Sequence, residues 1–236
     1  MKRIGLTMRI VADPCHGEIR DALAQDWATF LAVALPDCCW IPIPNLGPHI
    51  LKFAREWGLE GVILTGGNDP GSAPQRDETE NNLIQAALRG QLPLFGVCRG
   101  LQMIQYCLGG PLMPCNTAHH VGKHHPVRFE HGSAEGVTRK VNSFHSLAVR
   151  REDLPSGLVT TAVSADGWVE ALAHRTKPLA AVQWHPERNP NPHPLDIQLL
   201  REALQLPPFS TTARHPGSTT PVSLHEPSSS SSPCAP

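Results

Sequence analysis

Over its first 108 residues the chain alternates short apolar or β-branched runs with amphipathic stretches, and few folds accept that alternation. Strands are predicted at residues 3–8, 39–43, 61–64 and 92–97, and helices at 20–35, 47–57, 78–89 and 100–108. Right-handed crossovers gather such βα units into one mostly parallel sheet with helices on both faces, and ligands collect at the carboxyl ends of its strands. The expected class is therefore α/β. The second half is less regular: strands are predicted at 127–130, 159–164, 169–173 and 179–183, with a closing helix at 195–204 and some antiparallel pairing.

Composition sets the outer bounds. The chain has 236 residues, enough for one large domain over 1–206. From 207 to 236 it is dominated by Pro, Ser and Thr, a composition that cannot offset its ordering entropy, so a disordered tail is expected there. A formal net charge of -1 gives no basic field for nucleic acid or an anionic membrane, which leaves a small molecule as the expected partner. Neither a signal-peptide apolar core nor a membrane-length apolar run is visible, and a cytoplasmic location is expected. The seven cysteines include the adjacent Cys38 and Cys39 and no CxxC pair, so reduced thiols are expected rather than a disulfide framework or zinc ribbon.

One cysteine stands apart. In LPLFGVCRGLQMI an apolar run ends at Val97, Cys98 follows, and a helical pattern begins at once, with Gly96 and Gly100 two residues to either side. A sharp strand-to-helix turn crowds the neighbours of the residue at its tip, so glycine is needed there, and the turn lifts the side chain into a cleft. The thiol also meets a helix N-terminus, which favours thiolate, and the backbone N–H of Arg99 is left free for an oxyanion. A packing cysteine is the plainer alternative, and Cys107 and Cys115 are read that way. Among 13 histidines, His185 in VQWHPE follows a β run directly, with Glu187 two residues on to orient its ring. Alone it could equally be a strand-end histidine; with Cys98 it completes a nucleophile, base and orienter.

Taken together, GVCRGLQ, LTGGND and VQWHPE resemble the class I glutamine amidotransferase superfamily, in its branch of free-standing γ-glutamyl hydrolases, from about Ile4 to Leu204. The resemblance implies the flavodoxin-like fold of that superfamily, and Cys98 as nucleophile, His185 as general base and acid, and Glu187 as third member. It further implies the Gly67 N–H as second oxyanion donor, and Gln102 with the turn Asn142, Ser143, Phe144 and His145 as holders of the glutamyl group. No cofactor is implied. GLTMR, RDALAQDW and HVGKH, read as a turn, resemble more closely the γ-glutamyl-CDP-amidate hydrolases of capsule or lipopolysaccharide modification, which implies release of glutamate from a nucleotide amide. Hydrolysis of γ-glutamylated amines such as γ-glutamyl-γ-aminobutyrate, a glutaminase feeding a synthase, and a non-catalytic binding protein are the alternatives.

Two further features remain. Arg9, Arg20 and Lys123 are candidates for contacts to an anionic leaving group, against the reading as solvated surface charge. The stretch AHHVGKHH carries His119, His120, His124 and His125, but no neighbouring Cys or carboxylate completes a ligand set, so no metal site is expected.

Overall fold

The computed structural model describes residues 1–208; all but the first two residues of the expected tail lie outside it. Its elements run β1 (Lys2–Thr7), β2 (Arg9–Ala12), β3 (Ile19–Ala22), α1 (Asp26–Ala34), β4 (Cys38–Ile43), α2 (Ile50–Glu56), β5 (Gly61–Leu64), α3 (Pro74–Leu88), β6 (Leu94–Val97) and α4 (Arg99–Cys107). There follow β7 (Met113–Pro114), α5 (Thr117–His120), β8 (Val121–Phe129), β9 (Thr138–Phe144), β10 (Leu147–Ala148), β11 (Leu158–Ser164), β12 (Val169–His174), β13 (Leu179–Val182) and α6 (Pro194–Ala203).

Nine strands form one mixed sheet in the order β4-β1-β5-β6-β13-β12-β11-β8-β9. The first five are parallel and the last four antiparallel. Counting only parallel strands, the spatial order is second, first, third, fourth, fifth, the flavodoxin-like winding. Every residue of β5 and β6 is buried, as strands covered on both faces must be. Successive side chains divide between two cores: Ile63, Phe95 and Val97 pack with Phe30 of α1 and Leu200 of α6. Val62, Leu64 and Leu94 pack with Ile50 of α2, Leu83 of α3 and Ile104 of α4. This period of two puts helices on both faces, as expected.

Three expectations require correction. Residues 20–25 do not begin a helix: Arg20 lies on β3, which pairs with β2 in a hairpin outside the main sheet, and α1 starts only at Asp26. The HVGKH segment is no turn, since Val121–Phe129 is one strand with Lys123 opposite Ser143. Likewise Asn142, Ser143 and Phe144 lie on β9, with the turn only after them. Among the described residues no helix is long and apolar enough to cross a membrane.

The glycines of the elbow serve close approach. A Cβ on Gly96 would stand 2.8 Å from the carbonyl carbon of Gly100, and one on Gly100 would stand 2.7 Å from the Leu64 carbonyl oxygen. The helix α4 therefore lies directly on the backbone of β5 and β6. Gly100→Ala is expected to cost about 1–3 kcal/mol by overpacking, read as a fall of several degrees in calorimetric Tm. An unchanged Tm would show that α4 can lift off β5 without loss.

Candidate active site

The carboxyl ends of β1, β5, β6 and β13 meet at the parallel half of the sheet, and the loops leaving them build the site. Cys98 stands between β6 and α4 with φ 51° and ψ -101°. A residue with a Cβ held there stores roughly 1–3 kcal/mol of backbone strain. Its N–H donates to the Val182 carbonyl at 2.8 Å, and its carbonyl accepts from the N–H groups of Leu101 and Gln102 at 3.0 and 3.2 Å. The elbow is thus tied to β13 and to α4, and the side chain is only 8% exposed. The N–H of Arg99, first in α4, precedes any intrahelical acceptor.

His185 stands three residues beyond the end of β13. Trp184 before it is fully buried and donates its indole N–H to Asp196 of α6 at 2.9 Å, which fixes the strand exit. Asn142 on β9 then clamps the His185 backbone from the side: its Oδ1 accepts the His185 N–H and its Nδ2 donates to the His185 carbonyl, both at 2.8 Å. The His185 ring lies between Gly66, where a Cβ would come within 2.6 Å of Cε1, and Phe144, whose ring meets it edge-on at 5.7 Å. Its Nδ1 is 2.6 Å from Oε1 of buried Glu187, so Nε2 is the nitrogen left for the thiol.

The electrostatics favour an ion pair. Burial pushes the Cys98 thiol up, but the charge and hydrogen bond of His185 outweigh it and hold the thiol below its ordinary value. Burial pulls His185 down, yet Cys98 and then Glu187 push it up to about 9. Both directions favour thiolate beside imidazolium. Gln183 places its Nε2 3.8 Å from the Cys98 sulfur, a neighbour the sequence did not single out.

The loop after β5 is held from behind by a buried ion network. Arg76 near the start of α3 donates to the Thr65 carbonyl at 2.7 Å, the Gly66 carbonyl at 3.2 Å and the Gly67 carbonyl at 2.5 Å. Its Nε donates to Glu80 at 2.9 Å, and Glu80 and Asp77 accept from the side chain of Arg99. Burial would raise the Glu80 carboxyl; the Arg76 and Arg99 guanidiniums bring it below its ordinary value, so Glu80 is held as a carboxylate. The sequence pattern alone begins this helix at Glu78 and so leaves Arg76 in a loop. Pro74, which suits the first turn of a helix, was the available signal.

The other expected residues divide. Gln102 donates its side-chain amide to the Leu147 carbonyl at 2.9 Å, and Ser143 donates its hydroxyl to the His120 carbonyl at 2.6 Å. With Asn142 committed to His185, all three direct side-chain hydrogen bonds into the protein; their first effect is on the shape of the pocket wall. Arg9 lies against the loop, its guanidinium carbon 3.0 Å from where a Cβ of Gly67 would be. Arg20 is instead paired with Asp13 at 2.7 Å and Glu18 at 2.9 Å. Lys123 lines a different cavity, with His120 and His125. Arg188, not anticipated, has its guanidinium 4.3 Å over the Phe144 ring and joins Arg9, Gly66, Gly67, His185 and Glu187 around a narrow cavity of about 40 Å³.

The sequence profile of the peptidase C26 family matches residues 4–187, the span that carries Cys98, His185 and Glu187. The chain belongs to the peptidase C26 family. This C26 chain is 31% identical over 214 residues to the γ-glutamyl-CDP-amidate hydrolase of Campylobacter jejuni subsp. jejuni serotype O:2, covering 86% of this chain and 98% of that one. It is 39% identical over 135 residues to the carbamoyl phosphate synthase small chain of Symbiobacterium thermophilum, covering 56% of this chain and 35% of that one. Among solved structures, the C26 chain superposes with a TM-score of 0.63 on a protein from Thermoplasma acidophilum described as part of a GMP synthase, at 20% identity over 87% of this chain and 93% of that one. A glutamine amidotransferase from Thermotoga maritima gives 0.56 at 14% identity over 79% of this chain and 76% of that one. At these identities the structural likeness concerns the fold, and it agrees with the α/β class expected from the sequence.

Proposed function

We propose that this chain hydrolyses γ-glutamyl amides through Cys98, His185 and Glu187, and that its substrate is γ-glutamyl-CDP-amidate. The observation that carries the reading is a buried cysteine at positive φ whose thiol is held below its ordinary value by the neighbouring His185, an imidazole itself bound to the Glu187 carboxylate at 2.6 Å. The Cys98 thiolate attacks the γ-carbonyl carbon and the carbonyl π electrons move to oxygen. The Arg99 N–H meets that oxyanion from the start of α4. The second donor is the Gly67 N–H: in a trans peptide the N–H points opposite to the preceding carbonyl, and Arg76 holds the Gly66 carbonyl on its own side. His185 gives its proton to the departing nitrogen, leaving a thioester. It then takes a proton from the attacking water, and collapse of the second tetrahedral adduct frees glutamate and the thiolate.

The nucleotide substrate is supported by the relative from Campylobacter jejuni and by two cations, Arg9 and Arg188, at the mouth of the cleft. The test is glutamate release from γ-glutamyl-CDP-amidate, γ-glutamyl-γ-aminobutyrate and glutamine, with wild type and with Arg9→Gln and Arg188→Gln. Removing either cation, with its charge-assisted hydrogen bond to the leaving group, is expected to lower kcat/KM on the nucleotide about 10- to 100-fold and to leave the small amides nearly unaffected. Equal reductions on all three, or wild-type preference for a small amide, would move the assignment to γ-glutamylated amines or to a glutaminase.

A further inference from the structure

In the antiparallel half of the sheet the histidine-rich stretch meets two residues distant in sequence. His120 ends α5, His125 lies on β8, His145 follows β9 and Glu170 lies on β12. One candidate ligand atom from each residue lies within 4.8 Å of all the others. The carboxylate missing from the local sequence is thus supplied across the sheet.

The inward atoms are orphaned. Among the described residues, Nδ1 of His120, Nε2 of His125, Nε2 of His145 and both carboxylate oxygens of the fully buried Glu170 have no hydrogen-bond partner. So many unpaired polar atoms in one place call for a ligand. The opposite nitrogens are engaged: His120 Nε2 with the Asp166 carboxylate at 2.8 Å, His145 Nδ1 with the Leu147 carbonyl at 3.1 Å, and His125 Nδ1 with the Pro126 carbonyl at 3.4 Å. Those oxygens accept, so each outer nitrogen carries a hydrogen, which leaves the inward nitrogen as the one that offers a lone pair to an ion once any proton on it is displaced.

The spacing also matches that of metal ligands. His125 Nε2 and His145 Nε2 stand 3.5 and 3.6 Å from Glu170 Oε1. A protonated imidazole bound to a carboxylate would close to about 2.7–2.9 Å. Ligands of a tetrahedral zinc ion, with bonds of about 2.0–2.2 Å, stand about 3.3–3.6 Å apart. We propose that His120, His125, His145 and Glu170 bind one divalent transition-metal ion, zinc by preference, in a closed four-ligand site. Four protein ligands leave no position for substrate, so the ion staples the structure. It ties α5, β8 and β12 to the end of β9, where Phe144 packs on His185. A cavity of about 360 Å³ bordered by His120, His125 and Asp166 provides the entry path. This inference stands apart from the hydrolase reading, and its test does not use turnover.

The full chain, stripped with a chelator and dialysed, is titrated with Zn²⁺ by calorimetry and with Co²⁺ by visible absorption. Wild type is expected to take one tight ion per chain, to show the intense bands of tetrahedral cobalt, and to gain several degrees in Tm. His125→Ala and Glu170→Gln should lose the tight site, Asp166→Asn should weaken it about 10- to 100-fold, and His119→Ala with His124→Ala should keep it. Absence of tetrahedral cobalt bands from wild type overturns the proposal, a result that does not depend on any variant folding. So does tight binding that survives His125→Ala and disappears with His119 and His124.

Discussion

Cys98→Ala is expected to lower glutamate release at least about 10⁴-fold while leaving the fold intact, because the covalent step has no second nucleophile to fall back on. Of the remaining described cysteines, Cys107 is on α4 beyond the elbow, where burial pushes its thiol up to about 12, an inert group at neutral pH. The check pairs steady-state glutamate assays with mass spectrometry after a glutamine-like electrophile such as a γ-glutamyl diazoketone. One adduct on wild type and none on the variant is the expected pattern. Turnover surviving in the variant above trace level would remove Cys98 from the mechanism and return it to the packing role.

His185→Ala should be as severe, and its signature lies in pH. In wild type the thiolate forms below the ordinary thiol range, so activity rises with pH early. It then falls as pH passes about 9, where His185 loses the proton owed to the leaving nitrogen. The result is a bell. Without His185 the burial of Cys98 loses its main opposition, the thiol moves up, and alkylation by iodoacetamide at pH 7 should slow at least about tenfold. Glu187→Gln keeps the ring in place but weakens its hold on the proton, and should retain about 10- to 100-fold more turnover than His185→Ala. An alkylation rate indifferent to His185→Ala would show that the imidazole does not activate the sulfur.

The parallel half was legible because its strands are buried on both faces and read as unbroken apolar runs, as VIL in β5 and LFGV in β6 do. The antiparallel half was partly hidden. Most of β8 before Val127 is exposed, so GKHH reads as turn although it is strand. The β2–β3 hairpin is short and stands outside the main sheet, and its residues 20–22 merge in pattern with the α1 helix that follows. Within the site, Cys98, His185 and Glu187 were legible because each sits where one element passes into the next, and such junctions leave local marks. Arg76 and Asn142 act at long range, on a backbone ten residues away and on another forty-three residues away. Nothing within a local window of sequence records those contacts. For the same reason His145 and Glu170 could not be joined to the His120 stretch before the sheet order was known.

The positive φ at position 98 also says something about selection. Only glycine occupies that region without penalty, so the backbone of the elbow is best satisfied by a residue that has no side chain to react. The most comfortable occupant of the site is an inert one. Pressure for stability alone would carry the position toward glycine, and only pressure for chemistry holds a cysteine against it. A descendant relieved of its catalytic duty has its first stabilising substitution waiting at its own nucleophile.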